Sequence, residues 1–342
     1  MNPKAKKAVS EVLESGYIGE GTKAKLFEQE FSSFVGRPVR LVNSATSAID
    51  LALHMIGIQA GDEVITTPIT CTATNSNAVN RGATLVWADV DRNGLIDPND
   101  VANKITSKTK AIIGVSWGGV MPDYAALKSF GIPVIEDAAH GEYFTNKERG
   151  DYIVWSFQAI KHLTCGDGGA LYSPDHNRSR LLRWFGLDRE SSADFRCAQN
   201  ITEVGYKYHM NDINASIGLA NILDLPLLLR IHRENAAYYD KHLTNPYIEK
   251  LQVTSQSRWL YTILVEDRDY FIEYLKGRGI AASQVHARND KHTAFQRVSR
   301  FSMQNAGVQR FDDCQVSIPI GWWLTRKQQD YIISTIYDYQ PK

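Results

Sequence analysis

Four short apolar runs, separated by segments with helical spacing, follow one another in the first half of the chain. They cover residues 63–67, 84–88, 111–115 and 132–135. Strand-like runs that alternate with helices are typical of βαβ units, which pair their strands in parallel and cover both faces of the sheet with helices. The chain is therefore predicted to fold as an α/β protein around a mostly parallel central sheet, with ligands bound beyond the carboxyl ends of its strands.

The pattern changes after about residue 230. Strand-like, helical, strand-like and helical runs then occupy residues 259–265, 269–276, 280–286 and 327–336. A chain of 342 residues is long enough for one large and one smaller domain. We therefore predict a large domain over residues 1–230, which includes N-terminal helices at 4–14 and 23–35, and a small α+β domain over residues 231–342.

Charge and cysteine content exclude several classes of function. Lysine plus arginine (38) balances aspartate plus glutamate (38), so no excess of positive charge indicates binding to nucleic acid or to an anionic membrane. No apolar run reaches the roughly 18 residues of a membrane span, and the basic N-terminus leads into a helical pattern instead of a secretion signal. The four cysteines lie far apart, and no zinc pattern occurs among the nine histidines. These features predict a cytoplasmic protein without a bound metal.

Residues 153–172 hold a single lysine between two strand-like runs. The first run, residues 153–157, contains Ser156 and leads to Lys161, and a glycine-rich bend precedes the second run. A lysine desolvated in such a place would have a pKa below its usual value of about 10.4, which is the usual route to an amine nucleophile. On this stretch alone, a surface lysine at a strand end explains the pattern better.

Two further segments carry polar side chains where an α/β sheet binds ligands. Residues 43–47 (Asn-Ser-Ala-Thr-Ser) open an apolar helix, and the free N–H groups and hydroxyls of its first turn would suit a phosphate. Ordinary Ser/Thr capping explains this segment equally well. Asp137 and His140 follow a predicted strand, where a helix cap and a buried histidine are the ordinary alternatives.

These three features together match the needs of one cofactor. Pyridoxal 5′-phosphate (PLP) requires an amine for its aldehyde, a carboxylate that keeps its pyridine nitrogen protonated, and a dipole-rich pocket for its phosphate. Lys161, Asp137 and the turn at residues 44–47 would supply them. The sequence therefore predicts a PLP site.

Five motifs follow one another within residues 8–225. They are Ser15-Gly16-Tyr17, Gly61-Asp62-Glu63-Val64-Ile65, Glu136-Asp137-Ala138-Ala139-His140, Ser156-Phe157-Gln158-Ala159-Ile160-Lys161 and Gly205-Tyr206-Lys207-Tyr208. This set resembles the sugar aminotransferases of the DegT/DnrJ/EryC1/StrS family, which have the type I fold of PLP enzymes. The combination of Glu-Asp-Ala-Ala-His with Ser-Phe-x-x-x-Lys at this separation is quite specific.

The resemblance implies a role for individual residues. Lys161 would form the internal aldimine and move a proton between the cofactor and the substrate carbon. Asp137 would pair with the pyridine nitrogen, and His140 would lie near the phenolic oxygen of the ring. The residues that would hold the phosphate are Thr46, Ser47, Ser156 and, from the neighbouring subunit, His209. The active site would therefore lie at the interface of a homodimer.

The resemblance also implies a reaction and a substrate. Family members move an amino group, usually from glutamate, to a keto carbon of a nucleotide-linked deoxysugar, for a surface polysaccharide such as the O-antigen of lipopolysaccharide. Gln158 and Ala159 before the lysine favour the branch that acts at C4 over the branch that acts at C3. Substrate contacts are predicted for Tyr17, Gly19, Gln158, His286 and Arg288, although the donor-rich segment 286–293 would equally suit a solvated loop.

Cys71 departs from the family pattern, because relatives place there an aromatic residue that stacks on the cofactor ring. We therefore expect Cys71 to lie at the cofactor face. Two other functions agree with the sequence. One is a PLP-dependent amino-acid transaminase or lyase, and the other is a non-catalytic binding protein on the same scaffold. The presence of both Asp137 and Lys161 favours an enzyme.

Overall fold

A computed structural model describes residues 1–144, 147–191, 196–251, 253, 257–300 and 306–342. Within these ranges the helices are α1 (Lys4–Glu14), α2 (Thr22–Val35), α3 (Ala45–Ile56), α4 (Thr72–Asn80), α5 (Pro98–Lys104), α6 (Tyr124–Lys128), α7 (His176–Leu182), α8 (Asp212–Ile222), α9 (Leu225–His242), α10 (Arg268–Lys276), α11 (Thr293–Gln296), α12 (Ala306–Cys314) and α13 (Arg326–Tyr337). The strands are β1 (Arg40–Val42), β2 (Glu63–Thr66), β3 (Thr84–Trp87), β4 (Thr109–Val115), β5 (Val134–Asp137), β6 (Tyr152–Ser156), β7 (Gly169–Tyr172), β8 (Glu249–Lys250), β9 (Tyr261–Leu264), β10 (Ser299–Arg300) and β11 (Gln315–Ile318).

The central sheet has the strand order β1-β7-β6-β5-β4-β2-β3-β10. The strands β6, β5, β4, β2, β3 and β10 pair in parallel, each with the next. Strand β7 is antiparallel to both of its neighbours, β6 and β1. The predicted α/β fold with a mostly parallel sheet is therefore confirmed.

Helices cover both faces of this sheet. Val154 of β6 packs in the same cluster as the buried residues of α3, whereas its neighbours Ile153 and Trp155 pack with Phe27 and Phe31 of α2. Successive residues of a strand point to opposite faces, so one strand contributes to both clusters. The two N-terminal helices lie where they were predicted, within one residue at each end.

A second sheet, of order β11-β9-β8, belongs to the smaller α+β part of the chain. The predicted strand at residues 280–286 is wrong, since this segment makes only one bridge, between Ser283 and Ser317. Ser317 belongs to β11, whose other edge pairs with β9, so the segment meets the outer edge of the small sheet at this one bridge. The predicted domain boundary at residue 230 falls inside α9, and the division into two domains stays a prediction.

No single helix in the described ranges is both long and apolar enough to cross a membrane. Helices α8 and α9 meet the length and composition criteria only as a pair, and they are bent by 57° at the break between them. All four cysteines are free thiols. Helix α7 ends at Leu182, and the chain then turns at Phe185, which has a left-handed φ of 55°.

Candidate active site

Lys161 lies in the loop between β6 and β7. Ser156, the last residue of β6, pairs with Gly169, the first residue of β7, and these two residues close the loop. Strand β6 runs parallel to β5, which ends at Asp137. The lysine loop and Asp137 therefore share the carboxyl edge of the sheet, where such folds bind ligands.

The amine of Lys161 is buried and lies over the face of an indole ring. Its Nζ lies 3.9 Å from the ring centroid of Trp259. Burial lowers the pKa of Lys161 from 10.5 to about 8, although the charges of Asp137 and Cys71 oppose this shift. At pH 7 a pKa of about 8 leaves roughly a tenth of the amines neutral, against roughly one in three thousand for a solvated lysine. Lys161 is therefore a much better nucleophile than a surface lysine.

Asp137 is buried at the end of β5. Its Oδ2 accepts a hydrogen bond from the hydroxyl of Thr74 (2.7 Å), and its Oδ1 accepts one from the N–H of Ala139 (3.0 Å). Burial raises the pKa of Asp137, whereas these two hydrogen bonds and the charge of Lys161 lower it. The preceding Glu136 makes a buried ion pair with Arg149 (2.5 Å). Glu136 is therefore occupied by Arg149, and the carboxylate of Asp137 is the one that interacts with Lys161.

An aromatic cluster surrounds the lysine. The ring of His140 stacks on Trp259 with 4.2 Å between centroids and lies nearly parallel to His286 at 6.4 Å. Trp117 meets both histidines edge-on at 5.9 Å. The Nδ1 of His140 accepts a hydrogen bond from the N–H of Gly118 (3.0 Å). Burial lowers the pKa of His286, and it lowers that of His140 well below 6.5, so His140 is neutral at pH 7 with its proton on Nε2.

The start of α3 lies against the lysine loop. A Cβ atom at Gly169 would lie 2.6 Å from the backbone nitrogen of Ala45, so glycine is required for this approach. Because Gly169 pairs with Ser156, the end of β6 also lies beside the first turn of α3. Ser44 caps the helix by accepting the N–H of Ser47 (3.0 Å), and the two hydroxyls are 2.9 Å apart. Capping is therefore present, and the positive end of the helix dipole lies beside the lysine loop.

Three other predicted residues flank this arrangement. Thr46 lies in the first turn of α3, and its carbonyl accepts a 2.6 Å hydrogen bond from Asn77. Cys71 immediately precedes α4 and interacts electrostatically with Lys161. Gln158 is exposed in the lysine loop, where its side chain accepts the N–H of Ile160 (3.2 Å).

His209 lies next to α3 through its backbone. It bridges Val42, two residues before the cap of α3, and its ring packs edge-on against Trp184 at 3.8 Å. Burial, helped by the charges of Arg183 and Arg189, lowers the pKa of His209 to about 4. At pH 7 its imidazole is neutral, so it would contact a phosphate as a hydrogen-bond donor and not as a cation.

Tyr17 and Gly19 lie apart from the lysine, beside the N-terminal helices. Tyr17 lines a cavity of about 630 Å³ with Arg183 and Arg189. Both arginines pair with Glu20, at 2.7 and 2.6 Å, and the carbonyl of Gly19 accepts the N–H of Asp212 (2.8 Å). Within the single chain, the structure therefore brings these two predicted residues to α8 and not to Lys161.

Arg288 is engaged in a buried ion pair. Its Nε and Nη2 atoms donate to Asp290 at 2.7 and 2.5 Å, and its Nη1 donates to Gln309 at 2.8 Å. The residue is only 2% exposed. A buried guanidinium with three of its five N–H groups already bonded has reduced capacity for a ligand, so this arrangement speaks against the predicted substrate contact of Arg288. The other residue predicted from this segment, His286, does lie in the aromatic cluster.

Three residues of the site were not found from the sequence. They are Thr74, which bonds to Asp137, and Trp117 and Trp259, which enclose the lysine and the histidines. Thr74 could have been found from its position three residues after Cys71, nearly one helical turn away. The two tryptophans carried no such signal, since they come from the turn after β4 and from the segment before β9.

These residues fit the cofactor that the sequence predicts. A buried carboxylate and a shielded amine lie at the same sheet edge, and a capped helix start approaches so closely that only Gly169 is tolerated. Asp137 would hold the pyridine nitrogen, Lys161 the aldehyde carbon, and the first turn of α3 with Ser156 the phosphate.

Comparison with known proteins gives a match over nearly the whole chain. Residues 1–337 match the model of the DegT/DnrJ/EryC1/StrS aminotransferase family. SpsC, a spore coat polysaccharide biosynthesis protein of Bacillus subtilis (strain 168), is 39% identical over 249 residues, which cover 68% of this chain and 64% of SpsC. The aligned part thus spans somewhat less than two thirds of that relative.

Solved structures resemble the chain over almost its full length. AtS13 from Actinomadura melliaura is 38% identical with a TM-score of 0.92, covering 99% of this chain and 96% of AtS13. The sugar aminotransferase CalS13 from Micromonospora echinospora is 35% identical with a TM-score of 0.91, covering 98% of this chain and 97% of CalS13. Another relative has been solved in a PLP form.

Proposed function

Because the chain belongs to the DegT/DnrJ/EryC1/StrS aminotransferase family, we propose that it transfers an amino group from glutamate to a keto carbon of a nucleotide-linked deoxysugar. The family depends on PLP, so the cofactor predicted from Lys161 and Asp137 is confirmed. The observation that carries the proposal is the shielded amine of Lys161, whose pKa of about 8 lies close to neutrality, at the same sheet edge as buried Asp137.

Each group of the site would contribute a separate step. When bound, the cofactor supplies an electron sink for charge left on the substrate carbon. Asp137, held by Thr74 and Ala139, would keep the ring nitrogen protonated. As the neutral amine, the Nζ of Lys161 would take a proton from the substrate carbon and pass it to the cofactor. In the second half of the reaction it would move a proton in the opposite direction. Neutral His140 would donate a hydrogen bond from Nε2 to the phenolic oxygen of the cofactor ring. The aromatic cluster would exclude water from the site.

The choice of substrate rests on relatives and on a few residues. CalS13 is described as a sugar aminotransferase, and the name of SpsC places it in polysaccharide biosynthesis, which supports a keto-sugar for this chain. Gln158 in the lysine loop supports amination at C4 over C3. The buried ion pair of Arg288 counts against its use as a carboxylate clamp for an amino-acid substrate.

We also propose that the protein is a cytoplasmic homodimer with its active site at the subunit interface. Within one chain, Tyr17 and Gly19 lie beside α8, and His209 packs on Trp184 and bridges Val42, whereas Lys161 lies over Trp259. A second subunit would allow these residues to reach the cofactor phosphate and the sugar of the neighbouring site.

Trapping and substrate exchange test this proposal. Borohydride should fix PLP irreversibly on the wild-type protein at Lys161, whereas Lys161→Ala should retain no covalent cofactor. Lys110→Ala, which removes an exposed lysine of β4, is the matched control and should be trapped like the wild type. Glutamate should convert the coloured protein to its pyridoxamine form, and a nucleotide-linked keto-sugar should restore the colour.

The position of the new amine, read by NMR of the product, distinguishes C4 from C3. If only simple keto acids restore the colour, the sugar assignment fails and an amino-acid transaminase replaces it. If the wild-type protein takes up no PLP, the whole proposal fails.

A further inference from the structure

Trp259 is fixed between two parts of the active site. It precedes β9 of the smaller sheet, yet its backbone N–H donates to the carbonyl of Gly118 (3.0 Å) in the large sheet's turn after β4. Its indole Nε1 donates to the carbonyl of Ile160, next to the lysine, at 3.4 Å. Both the backbone and the ring of Trp259 are therefore tied to groups that surround Lys161.

The residue before Trp259 has an unusual backbone conformation. Arg258 has a φ of 48°, in the left-handed region that non-glycine residues rarely adopt. Its guanidinium contacts the carboxylate of Asp240 at 3.2 Å, and the hydroxyl of Tyr261 donates to the same carboxylate at 2.9 Å. The contacts of Arg258 and Tyr261 with Asp240 thus hold the backbone of Arg258 in a conformation that costs free energy by itself. Such conformations are common at functional sites. This turn presents the indole of Trp259 to the lysine.

From this geometry we propose that Trp259 is a positioning residue, which holds the amine of Lys161 over its indole face whenever that amine is not bonded to the cofactor. The Nζ lies 3.9 Å from the ring centroid, and the same indole stacks on His140 at 4.2 Å. The inference rests on the proposed role of Lys161 and adds a residue that keeps its flexible side chain beside the other groups of the site.

The physical basis is the attraction between an ammonium group and the face of an aromatic ring. This attraction is strongest for tryptophan, weaker for phenylalanine and missing for an aliphatic side chain. A free lysine side chain would otherwise sample many rotamers, and each return to the reactive position would carry an entropic cost. Trp259 therefore stabilises the charged form of the amine in one place, against the burial that favours the neutral form.

Two substitutions separate the aromatic face from simple filling of space. In full-length protein freed of cofactor, Trp259→Phe and Trp259→Leu are compared by the pH dependence of reductive methylation of Lys161, measured by mass spectrometry of its peptide. The apparent pKa of the amine should be lower in Trp259→Leu than in Trp259→Phe by about half a unit or more, with the wild type highest. Trp117→Phe reduces a ring of the same cluster that packs on His140 and His286, and should shift the value less.

Equal pKa values in the two Trp259 variants, or a higher value in Trp259→Leu, would overturn the proposal. If Trp259→Leu does not fold, a wild-type value in Trp259→Phe would overturn it as well. The outcome is independent of the proposed reaction, because the amine is measured without cofactor. A protein that shows the expected order of pKa values but is not trapped with PLP at Lys161 would refute the proposed function and leave this inference intact.

Discussion

Replacing Lys161 with methionine should stabilise the cofactor-free protein near neutral pH. The pKa of Lys161 is about 8 in the folded state against 10.5 for a solvated lysine, so the unfolded chain binds this proton more tightly. Below pH 8 the folded state therefore bears the full cost of the charged amine, and the cost is relieved as pH rises from 8 to 10.5. At about 1.4 kcal/mol for each pKa unit, the upper bound of this cost is about 3.5 kcal/mol. Methionine has a similar length and adapts to its surroundings, so it fills the site without a charge.

Urea unfolding at several pH values between 7 and 10.5 measures this effect. The advantage of Lys161→Met in the free energy of unfolding should be largest at pH 7 and should disappear toward pH 10.5, with equal m values in the two proteins. Lys110→Met removes an exposed lysine of β4 and controls for the general loss of a positive charge. An advantage that does not change with pH, or an equal pH-dependent gain in Lys110→Met, would refute the reasoning.

Two further predictions concern the groups that hold the cofactor. Thr74→Val removes a 2.7 Å hydrogen bond to a buried carboxylate, which should raise the pKa of Asp137 and weaken PLP binding about tenfold in an absorbance titration. Thr70→Val, which removes the 2.8 Å contact to Thr74 but leaves Asp137 its donor, should have a smaller effect, and equal losses would contradict the role of Thr74. Gly169→Ala places a Cβ atom 2.6 Å from the backbone of Ala45, so the start of α3 must shift and PLP binding should fall at least about tenfold in the same titration. Gly277→Ala, whose nearest neighbour would lie at 3.3 Å, is the control, and unchanged binding in Gly169→Ala would show that the first turn of α3 does not hold the phosphate.

Local patterns along the chain allowed much of the fold to be predicted. The strands β2, β4 and β5 were found because buried parallel strands are short apolar runs, and α3 was found because it is apolar on most faces. The segment 280–286 has a similar composition but meets the outer edge of β11 at a single bridge, because continuous pairing depends on how distant parts of the chain align, which the local sequence does not encode.

Some residues of the active site could likewise be predicted from the local sequence, and others could not. Lys161 and Asp137 were predicted because each follows a recognisable strand and carries the chemistry that PLP requires. The aromatic cluster was not, since Trp117 and Trp259 are 142 positions apart in the chain and meet His140 only after the smaller sheet packs beside the large one. Arg288 looked available for a ligand from its sequence alone, but folding places Asp290 and Gln309 around its guanidinium.

By itself, the sequence determined the order of strands and helices, the lysine, the carboxylate and the family, because these depend on residue type and local spacing. Only the tertiary structure decided which charges are shielded, which hydroxyl bonds to Asp137, and which ring lies over Lys161. Those properties depend on groups brought together from distant parts of the chain, and shielding from water is a property of the packed protein that no local stretch of sequence possesses.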